Sequence, residues 1–277
     1  MTKTYSFPLF FLLCLSFSSF AQKNWYEQEE EKKKDTNRFT IGVNLAAYFP
    51  NQNTAVLYNG SPNVTNYGVE FVFAQQVYQQ RFNDYFQHPY EVVEYPLDPR
   101  YQTGFELGLH LGYKFLPRFN GIFDFNLTQL DYERTFTVAI QDPNNGIPGP
   151  TYQQFPIIGE ENRFFLNLGT QYEYFQAESS AAYLAVFAHA NNIQMQDNYF
   201  VVNDQQYNIF HFNPNTSNQR AGGNAVGFGG GTGYKFKVYD RWWGELMYNF
   251  YYSEIQLTEL ITEKGLQHSA GIRVYWK

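Results

Sequence analysis

Hydrophobic and polar residues alternate along much of the chain. In RFTIGVNLAAYF (38–49), one face carries Phe39, Ile41 and Val43, and the other carries Thr40 and Asn44. The same period of two runs through GFELGLHLGYKF (104–115), RFFLNLGTQYEYF (163–175) and LQHSAGIRVYWK (266–277). Alternation of this kind predicts β-strands that each have one apolar face.

Four further segments have strand character, and they cover 119–140, 180–202, 225–238 and 241–260. Beyond the N-terminal leader described below, no segment reads as a long apolar helix. The sequence therefore predicts an all-β chain with about eight antiparallel strands. Such strands suit either a soluble sandwich or barrel, or an outer-membrane barrel.

The connections between these segments alternate in length. Short links at 116–118, 176–179 and 239–240 are separated by long ones at about 50–103, 141–162 and 203–224. Short periplasmic turns and long extracellular loops are typical of a transmembrane, antiparallel, up-and-down β-barrel in the bacterial outer membrane. Ten strands are the alternative to eight if 69–74 and 91–95 also cross the membrane, although both are shorter than a spanning strand.

The amino-acid composition supports a membrane barrel over a soluble one. Aromatic residues make up 20% of the chain, and charged residues make up only 16%, against roughly 25% in soluble domains. Mean hydropathy is still low, at −0.47, because only half of each strand would face lipid. The aromatic excess is explained by interfacial girdles, for which the strand ends offer Phe39, Phe49, Tyr113, Phe115, Tyr174, Trp242 and Trp276. The expected partners are the lipid bilayer and lipopolysaccharide, and a net charge of −7 argues against nucleic acid.

The N-terminus predicts export from the cytoplasm. Residues 1–21 combine Lys3, an apolar run and a small-residue cleavage site, which is the pattern of a signal peptide. Residues 22–37 are highly charged and predict a periplasmic tether. The barrel then occupies 38–277. The only cysteine, Cys14, lies in the leader, so the mature chain is predicted to have no disulfide or cysteine metal site.

The chain resembles the small eight-stranded outer-membrane barrels of the OmpA/OmpX type in its strand pattern, its turn alternation and its C-terminal strand. The aromatic-rich strands, and the leader ending in Ala21-Gln22, are also similar to small barrels of gliding, type IX-secreting bacteria. The resemblance covers about 38–277 and implies the fold, because it carries no residue signature for function. Unlike OmpA itself, the sequence shows no peptidoglycan-binding domain after the barrel.

Charged residues on the inward faces are predicted to form a network inside the barrel. Its members are Glu106, Lys114, Asp124, Glu173, Lys235, Glu245 and Arg273. Lys235 and Glu245 flank a short turn symmetrically and should face each other across the hairpin. Buried charges need partners, so we expect a plug that fills the barrel. A narrow ion path is the alternative.

The stretch GFGGGTGYKF (227–236) invites a phosphate-loop interpretation, but its spacing matches neither glycine template. Its period is two, so Gly227, Gly229, Gly231 and Gly233 form one bare face. We predict that this glycine wall faces inward and leaves space for Trp243, Met247 and Tyr251 on the next strand.

No catalytic constellation is complete. A catalytic His-x-Ser pair would need a serine two residues after His189, but Asn191 occupies that position. His268 and Ser269 are adjacent in a strand and point to opposite faces. No metal spacing is present among the histidines, and no cofactor is predicted.

The expected function is therefore non-enzymatic: a structural or docking component of the envelope, with a subunit of a secretion or motility assembly as the specific hypothesis. Partners would bind through the long outer loops, which suit protein or glycan contact, or through 22–37. A narrow channel is the alternative, and an outer-leaflet lipid enzyme ranks below it.

Overall fold

The computed structural model describes residues 38–65, 67–143, 146, 148–211, 222–257 and 262–277. The predicted signal peptide (1–21) and tether (22–37) lie outside the described residues. Phe39–Lys277 forms one compact unit.

The chain is built mainly from strands. They are β1 (Phe39–Phe49), β2 (Tyr90–Glu94), β3 (Gly104–Leu116), β4 (Phe119–Ile140), β5 (Thr151–Gln176), β6 (Ser180–Val202), β7 (Gln205–Asn208), β8 (Gly222–Tyr239), β9 (Trp242–Gln256) and β10 (Thr262–Trp276). The first long connection holds a 3₁₀ helix (Gln52–Tyr58) and two α-helices, α1 (Val69–Ala74) and α2 (Gln76–Phe86). Within the described ranges, no helix is long and apolar enough to cross a membrane.

Eight strands close into a barrel, in the order β1, β3, β4, β5, β6, β8, β9 and β10. The ring closes because β10 pairs antiparallel with β1, from Trp276 opposite Ile41 to His268 opposite Phe49. The eight-stranded prediction is confirmed, and the ten-stranded alternative is wrong. Residues 69–74 form helix α1, and β2 pairs only with the last residues of β4.

The outward face of this ring is apolar over a continuous band. Leu109, Leu168 and Val186 are each more than half exposed, while their strand neighbours point into the barrel. A closed ring leaves no unpaired backbone edge in the hydrocarbon, which is what a membrane requires of strands. The chain is therefore a transmembrane barrel, and its short turns and long loops identify the membrane as the bacterial outer membrane.

The band has a defined outer limit, where polar residues replace apolar ones on the outward face. They are Gln129, Asn162, Asn192, Asn224, Glu254 and Lys264. Asn192 donates to Asn224 across neighbouring strands at 2.9 Å, and Lys264 pairs with Glu254 at 3.0 Å. This ring of polar residues marks the extracellular membrane surface.

Three strands continue well beyond that limit. β4, β5 and β6 extend by 129–140, 151–162 and 192–202, and β2 and β7 pair with their tips. We call these five pieces the outer sheet. Together with the 3₁₀ helix, α1 and α2 it forms a folded extracellular module. Part of what the sequence predicted as the 141–162 loop is therefore strand β5.

Candidate functional site

The lower barrel is filled by a cluster around Arg273, whose guanidinium is 3% exposed. Its Nη2 donates to both oxygens of Asp124, at 3.0 and 3.1 Å, and its Nη1 donates to Glu245 at 2.9 Å. Its Nε donates to Asn44 Oδ1 at 2.6 Å, and His110 Nδ1 lies 2.7 Å from Asp124. Four strands thus meet at one cation, which explains how so many polar groups are tolerated inside the barrel.

A second ion pair lies beside this cluster. Lys235 Nζ contacts Glu173 at 2.8 Å and Gln171 at 2.7 Å. Lys235 and Glu245 do stand opposite each other in the β8–β9 ladder, yet each binds other partners. Tyr183 separates them: its hydroxyl donates to Glu245 at 2.6 Å, and its ring lies 5.1 Å from Lys235 Nζ.

Two predicted members of the network, Glu106 and Lys114, lie outside both of these groups. Glu106 is fully buried, and neither of its carboxylate oxygens hydrogen-bonds to the Arg273 cluster. Lys114 is half-buried near the β3–β4 turn. The structure thus joins Asp124, Glu245 and Arg273 directly, joins Lys235 to Glu173, and leaves Glu106 outside the hydrogen-bonded cluster.

The four glycines of the predicted wall face the lumen along β8, where the intervening side chains at Phe228, Thr232 and Tyr234 face lipid. A Cβ added at Gly229 would stand 2.2 Å from the Phe187 ring. At Gly233 it would stand 2.5 Å from the Tyr183 hydroxyl.

At the other two wall positions an added Cβ would also clash. At Gly231 it would lie 2.3 Å from Asn249 Oδ1, and at Gly227 it would lie 2.0 Å from the Tyr252 carbonyl. Tyr251 and Met247 are inward neighbours on β9, as predicted from the period, and Phe187 and Tyr183 on β6 occupy the rest of the space.

Six of the seven predicted girdle residues lie at the periplasmic strand ends. Phe39 contacts Tyr113 at 4.9 Å between ring centroids, and Trp242 is opposite Trp276 in the ladder. Phe115 and Tyr174 are exposed at the same end. Phe49 is instead at the extracellular end, where it stacks on His268 at 4.6 Å.

The barrel mouth holds a third polar cluster, which the sequence analysis did not identify. Arg163 and Glu161 are both fully buried, and Arg163 Nε donates to Glu161 Oε1 at 2.5 Å. The other Glu161 oxygen accepts from Tyr58 at 2.8 Å and from Tyr101 at 3.0 Å. We call this group, with the barrel residues that follow, the mouth cluster.

The mouth cluster ties the first long connection to the barrel wall. Arg163 donates from Nη2 to Thr54 at 3.1 Å, and from Nη1 to Gln267 at 3.0 Å and to Tyr48 at 3.3 Å. Tyr48 also donates to Gln267. The period of two over 163–175 puts Arg163 on the polar face of its strand. Its partner Glu161 fell in a segment predicted to be a loop, so the pair could not be recognised.

Above the mouth cluster, α1 and α2 pack aromatic rings against the outer sheet. Phe73 is central: its ring lies 4.7 Å from Phe82, 5.4 Å from Phe200 and 5.4 Å from Tyr90. Phe82 and Phe200 are completely buried. The extracellular module therefore has a hydrophobic core of its own, continuous with the barrel.

Burial affects titration in this module. His211, beside Tyr58, has its pKa lowered to about 4 by burial. Burial and the neighbouring Glu161 carboxylate raise the pKa of the Tyr58 phenol well above its usual range. Both groups are therefore neutral near pH 7.

No catalytic pair is brought together among the histidines and serines considered above. His189 hydrogen-bonds to Asn167 at 2.8 Å in the lumen. His268 lies on the outward face against Phe49, while Ser269 is buried and contacts Tyr251 at 3.0 Å. Among the described residues, no group of three or more His, Cys, Asp or Glu side chains is arranged to hold a metal ion.

No protein-family model matches this sequence, and no curated protein is detectably similar to it. Several solved structures are similar in fold, and the following three are among them. Neisserial surface protein A is 9% identical with a TM-score of 0.41, and the match covers 86% of this chain and 96% of that one. Ail of Yersinia pestis is 11% identical with a TM-score of 0.36, covering 87% and 98%.

The outer membrane protein OprG from Pseudomonas aeruginosa is 11% identical with a TM-score of 0.35, covering 86% of this chain and 95% of that one. The assignment of the present chain rests on its own ring closure and apolar band, described above. It is a small eight-stranded outer-membrane β-barrel that carries a folded extracellular module.

Proposed function

We propose that this protein is a non-enzymatic docking component of the outer membrane, which presents its extracellular module to a partner. The observation that carries the proposal is the module itself. Loops that only connect strands do not need a five-stranded sheet, three helices and a buried aromatic core. A surface held this rigidly loses little conformational entropy on binding.

The lumen supports a structural role rather than a conducting one. The Arg273 cluster joins side chains from five strands across the lower barrel. The mouth cluster and the aromatic core then fill the extracellular end. An eight-stranded barrel has an interior just wide enough for side chains to fill, so these groups leave little room for a solute path.

The module's surface offers apolar contacts suited to a protein partner. Leu97 is 88% exposed, Val77 72% and Val93 46%. A partner that covers these side chains would remove their apolar surface from water, which favours association. The specific hypothesis from the sequence, a subunit of a secretion or motility assembly, is consistent with this arrangement, and the charged 22–37 segment is proposed as a second attachment.

The absence of enzymatic function is part of the proposal. His189 is held by Asn167 inside the lumen, and His268 and Ser269 lie on opposite faces of β10. Neither histidine therefore meets a serine nucleophile, and acyl transfer by a His-Ser pair at the outer leaflet would need that contact.

Site-specific photocrosslinking in the native envelope tests the proposal. A photoreactive residue placed at Leu97 or Val93 should form one discrete protein adduct, identified by mass spectrometry. The same residue at Val186 or Leu168, on the lipid-facing band, is the matched control and should give none. If no module position forms a protein adduct at native expression levels, the docking role is wrong.

A further inference from the structure

A surface pocket of about 410 Å³ opens between helix α2 and the β6–β7 hairpin. Its size falls within the range of about 300–1,000 Å³ that small-molecule sites occupy. Val202, at its base, lies ten positions along β6 after Asn192, where the apolar band ends. That is roughly 33 Å along the strand at ~3.3 Å per residue, or roughly 25 Å along the membrane normal at a strand tilt of ~35–45°, so the pocket lies above the lipid headgroups.

The floor of this pocket is rigid. Phe82, Val202 and Tyr207 are at most 4% exposed. The Phe82 and Tyr207 rings are 4.6 Å apart, and Tyr207 also stacks on Phe200 at 5.4 Å. These residues belong to the aromatic core of the module, so the floor does not need to form when a ligand arrives.

Two unusual backbone conformations shape the rim. Gln87 ends α2 at φ 59°, and its N–H donates to the Asn83 carbonyl at 2.9 Å. Asn203 and Asp204 form the two-residue turn between β6 and β7 at φ 51° and 59°. Left-handed residues at both positions are typical of a type I′ hairpin turn. The rim residues are therefore held at fixed backbone positions.

The two walls of the pocket are joined by hydrogen bonds to Gln205. Arg81 Nη1 donates to Gln205 Oε1 at 3.3 Å from the helix side. Tyr207 donates to the same oxygen at 3.2 Å. The amide nitrogen of Gln205 and the remaining nitrogens of Arg81 keep donor capacity that a ligand oxygen can use.

The chemistry of the rim matches a saccharide. Asp84, Gln87, Asn203 and Gln205 present one carboxylate and three primary amides, all exposed. Planar groups of this kind bind pairs of neighbouring hydroxyls, because each can donate or accept at two atoms. Tyr85 adds an aromatic surface on which the C–H face of a sugar ring can pack.

The charge around the pocket favours a neutral saccharide over an anionic one. Arg81 and Asp84 cancel formally, and Asp204 stands at the adjoining turn, so the local balance is not positive. An anionic ligand would need a surplus of cations here. We propose that this pocket binds a neutral sugar unit of a glycan. The inference rests on the proposed docking role and names the partner chemistry for one part of the module.

Neutral sugars can come from two sources, the lipopolysaccharide of the same membrane or a glycan outside it. The test uses the full barrel in detergent micelles, with calorimetry and saturation-transfer NMR. One probe is the neutral, phosphate-free fraction of the oligosaccharide released by mild acid from the lipopolysaccharide of the parent bacterium, and the other is a panel of neutral oligosaccharides from other sources. Binding of the first alone identifies the bacterium's own envelope, and binding of the second alone identifies an external glycan.

The chain offers a matched pair of variants. Gln205 and Gln206 are consecutive on β7, both exposed, and only Gln205 lines the pocket. Gln205→Ala should weaken binding about tenfold, the equivalent of one or two hydrogen bonds, while Gln206→Ala should change it less than twofold. Asp84→Ala should act like Gln205→Ala, and retained heat modifiability of each variant shows that the barrel folds.

The proposal is wrong if neither probe binds, if only sulfated or phosphorylated sugars bind, or if Gln206→Ala is as damaging as Gln205→Ala. Its failure is separable from failure of the docking role. Photocrosslinks from Leu97 and Val93 would persist without any glycan binding, whereas loss of both results would remove the docking role as well.

Discussion

Arg163 is the single side chain on which most of the barrel mouth depends. It is fully buried and donates to four different residues of β1, β5, β10 and the first connection. Arg163→Met leaves the Glu161 carboxylate buried without its cation. Removing one partner of a buried pair costs about 3–5 kcal/mol. We expect the free energy of unfolding, measured by denaturant titration in micelles, to fall by that amount.

The control is the double variant Arg163→Met with Glu161→Gln. Because a neutral amide replaces the stranded carboxylate, this variant should regain part of the lost stability. If the single variant is as stable as the wild type, the mouth cluster does not hold the first connection in place.

His211 makes the module sensitive to acid. Its Nε2 hydrogen-bonds to Asn198 Oδ1 at 2.7 Å; Asn198 uses its amide nitrogen on the Tyr58 and Ile158 carbonyls, so His211 donates. Its Nδ1 is buried and has no partner within the described residues, so protonation would bury an unpaired N–H.

The pKa of His211 is lowered to about 4 by burial, from an unfolded value near 6.5. Above pH 6.5 both states are neutral and stability does not change. Between about pH 6.5 and 4 the His211 imidazole is protonated when its segment is locally unfolded but stays neutral when the segment is packed. The packed state therefore loses stability as pH falls. The protection factors of amides near Ile209, which are exchange rates corrected for the intrinsic effect of pH on exchange, should therefore fall from pH 7 to 4.5.

His211→Gln separates this effect from the titration of carboxylates. The variant should exchange faster than wild type at pH 7 and show a weaker pH dependence. Equal pH dependence in both proteins would assign the effect to other groups.

At the residue scale, the sequence predicted which side chains face inward but not which ones meet. Asp124, Glu245 and Arg273 followed from alternation alone. Lys235 pairs with Glu173 rather than with Glu245 directly across the hairpin, because Tyr183 stands between them. Contacts across a lumen depend on strand tilt and on the side chains that intervene, and neither can be obtained from the period of one strand.

At the scale of a strand, the glycine wall of β8 makes room for its neighbours. Its bare face lets β6 and β9 place large rings in the lumen. Phe187 and Tyr251 stand opposite Gly229 on either side and contact each other at 5.7 Å. Gly229→Leu would drive a side chain into the Phe187 ring and toward the Phe250 carbonyl. Because the core is close-packed, we expect the variant to lose most of its folded, heat-modifiable form in the membrane fraction.

Ala188→Leu is the matched control for this change. Ala188 lies next to Phe187 on β6, but it faces lipid. The added bulk should leave folding and heat modifiability unchanged. If Gly229→Leu folds as well as Ala188→Leu, the inward face of β8 is not close-packed.

At the element scale, strand positions were predictable because alternation persists through each spanning segment. The extensions of β4, β5 and β6 were harder to assign. Residues 151–162 include Pro156 and alternate imperfectly, so they were predicted as part of a loop. In the structure the upper part of β5 packs on the module's aromatic core, with Ile157 fully buried, and this tertiary contact is not visible in the local sequence.

The whole molecule has a closed lower lumen and a separately filled mouth. Ring closure and the eight-strand number followed from turn alternation and strand count. The module could not be predicted, because its core combines residues far apart in the chain, such as Phe73, Phe136 and Phe200. Because the lower lumen and the mouth are filled separately, we can predict how the barrel behaves in conductance measurements.

In planar bilayers, the wild-type barrel should show no steady conductance above that of lipid alone. The first connection can be replaced by a short Gly-Ser turn, because Tyr48 and Gly104 are directly opposite each other in the β1–β3 ladder. This variant removes the 3₁₀ helix, α1, α2 and β2 but keeps the Arg273 cluster. It should also stay closed, since Arg273, Asp124 and Glu245 still fill the lower lumen. Steady current through the shortened variant would show that the mouth alone closes the barrel. Steady current through the wild type would favour the channel alternative over the docking role.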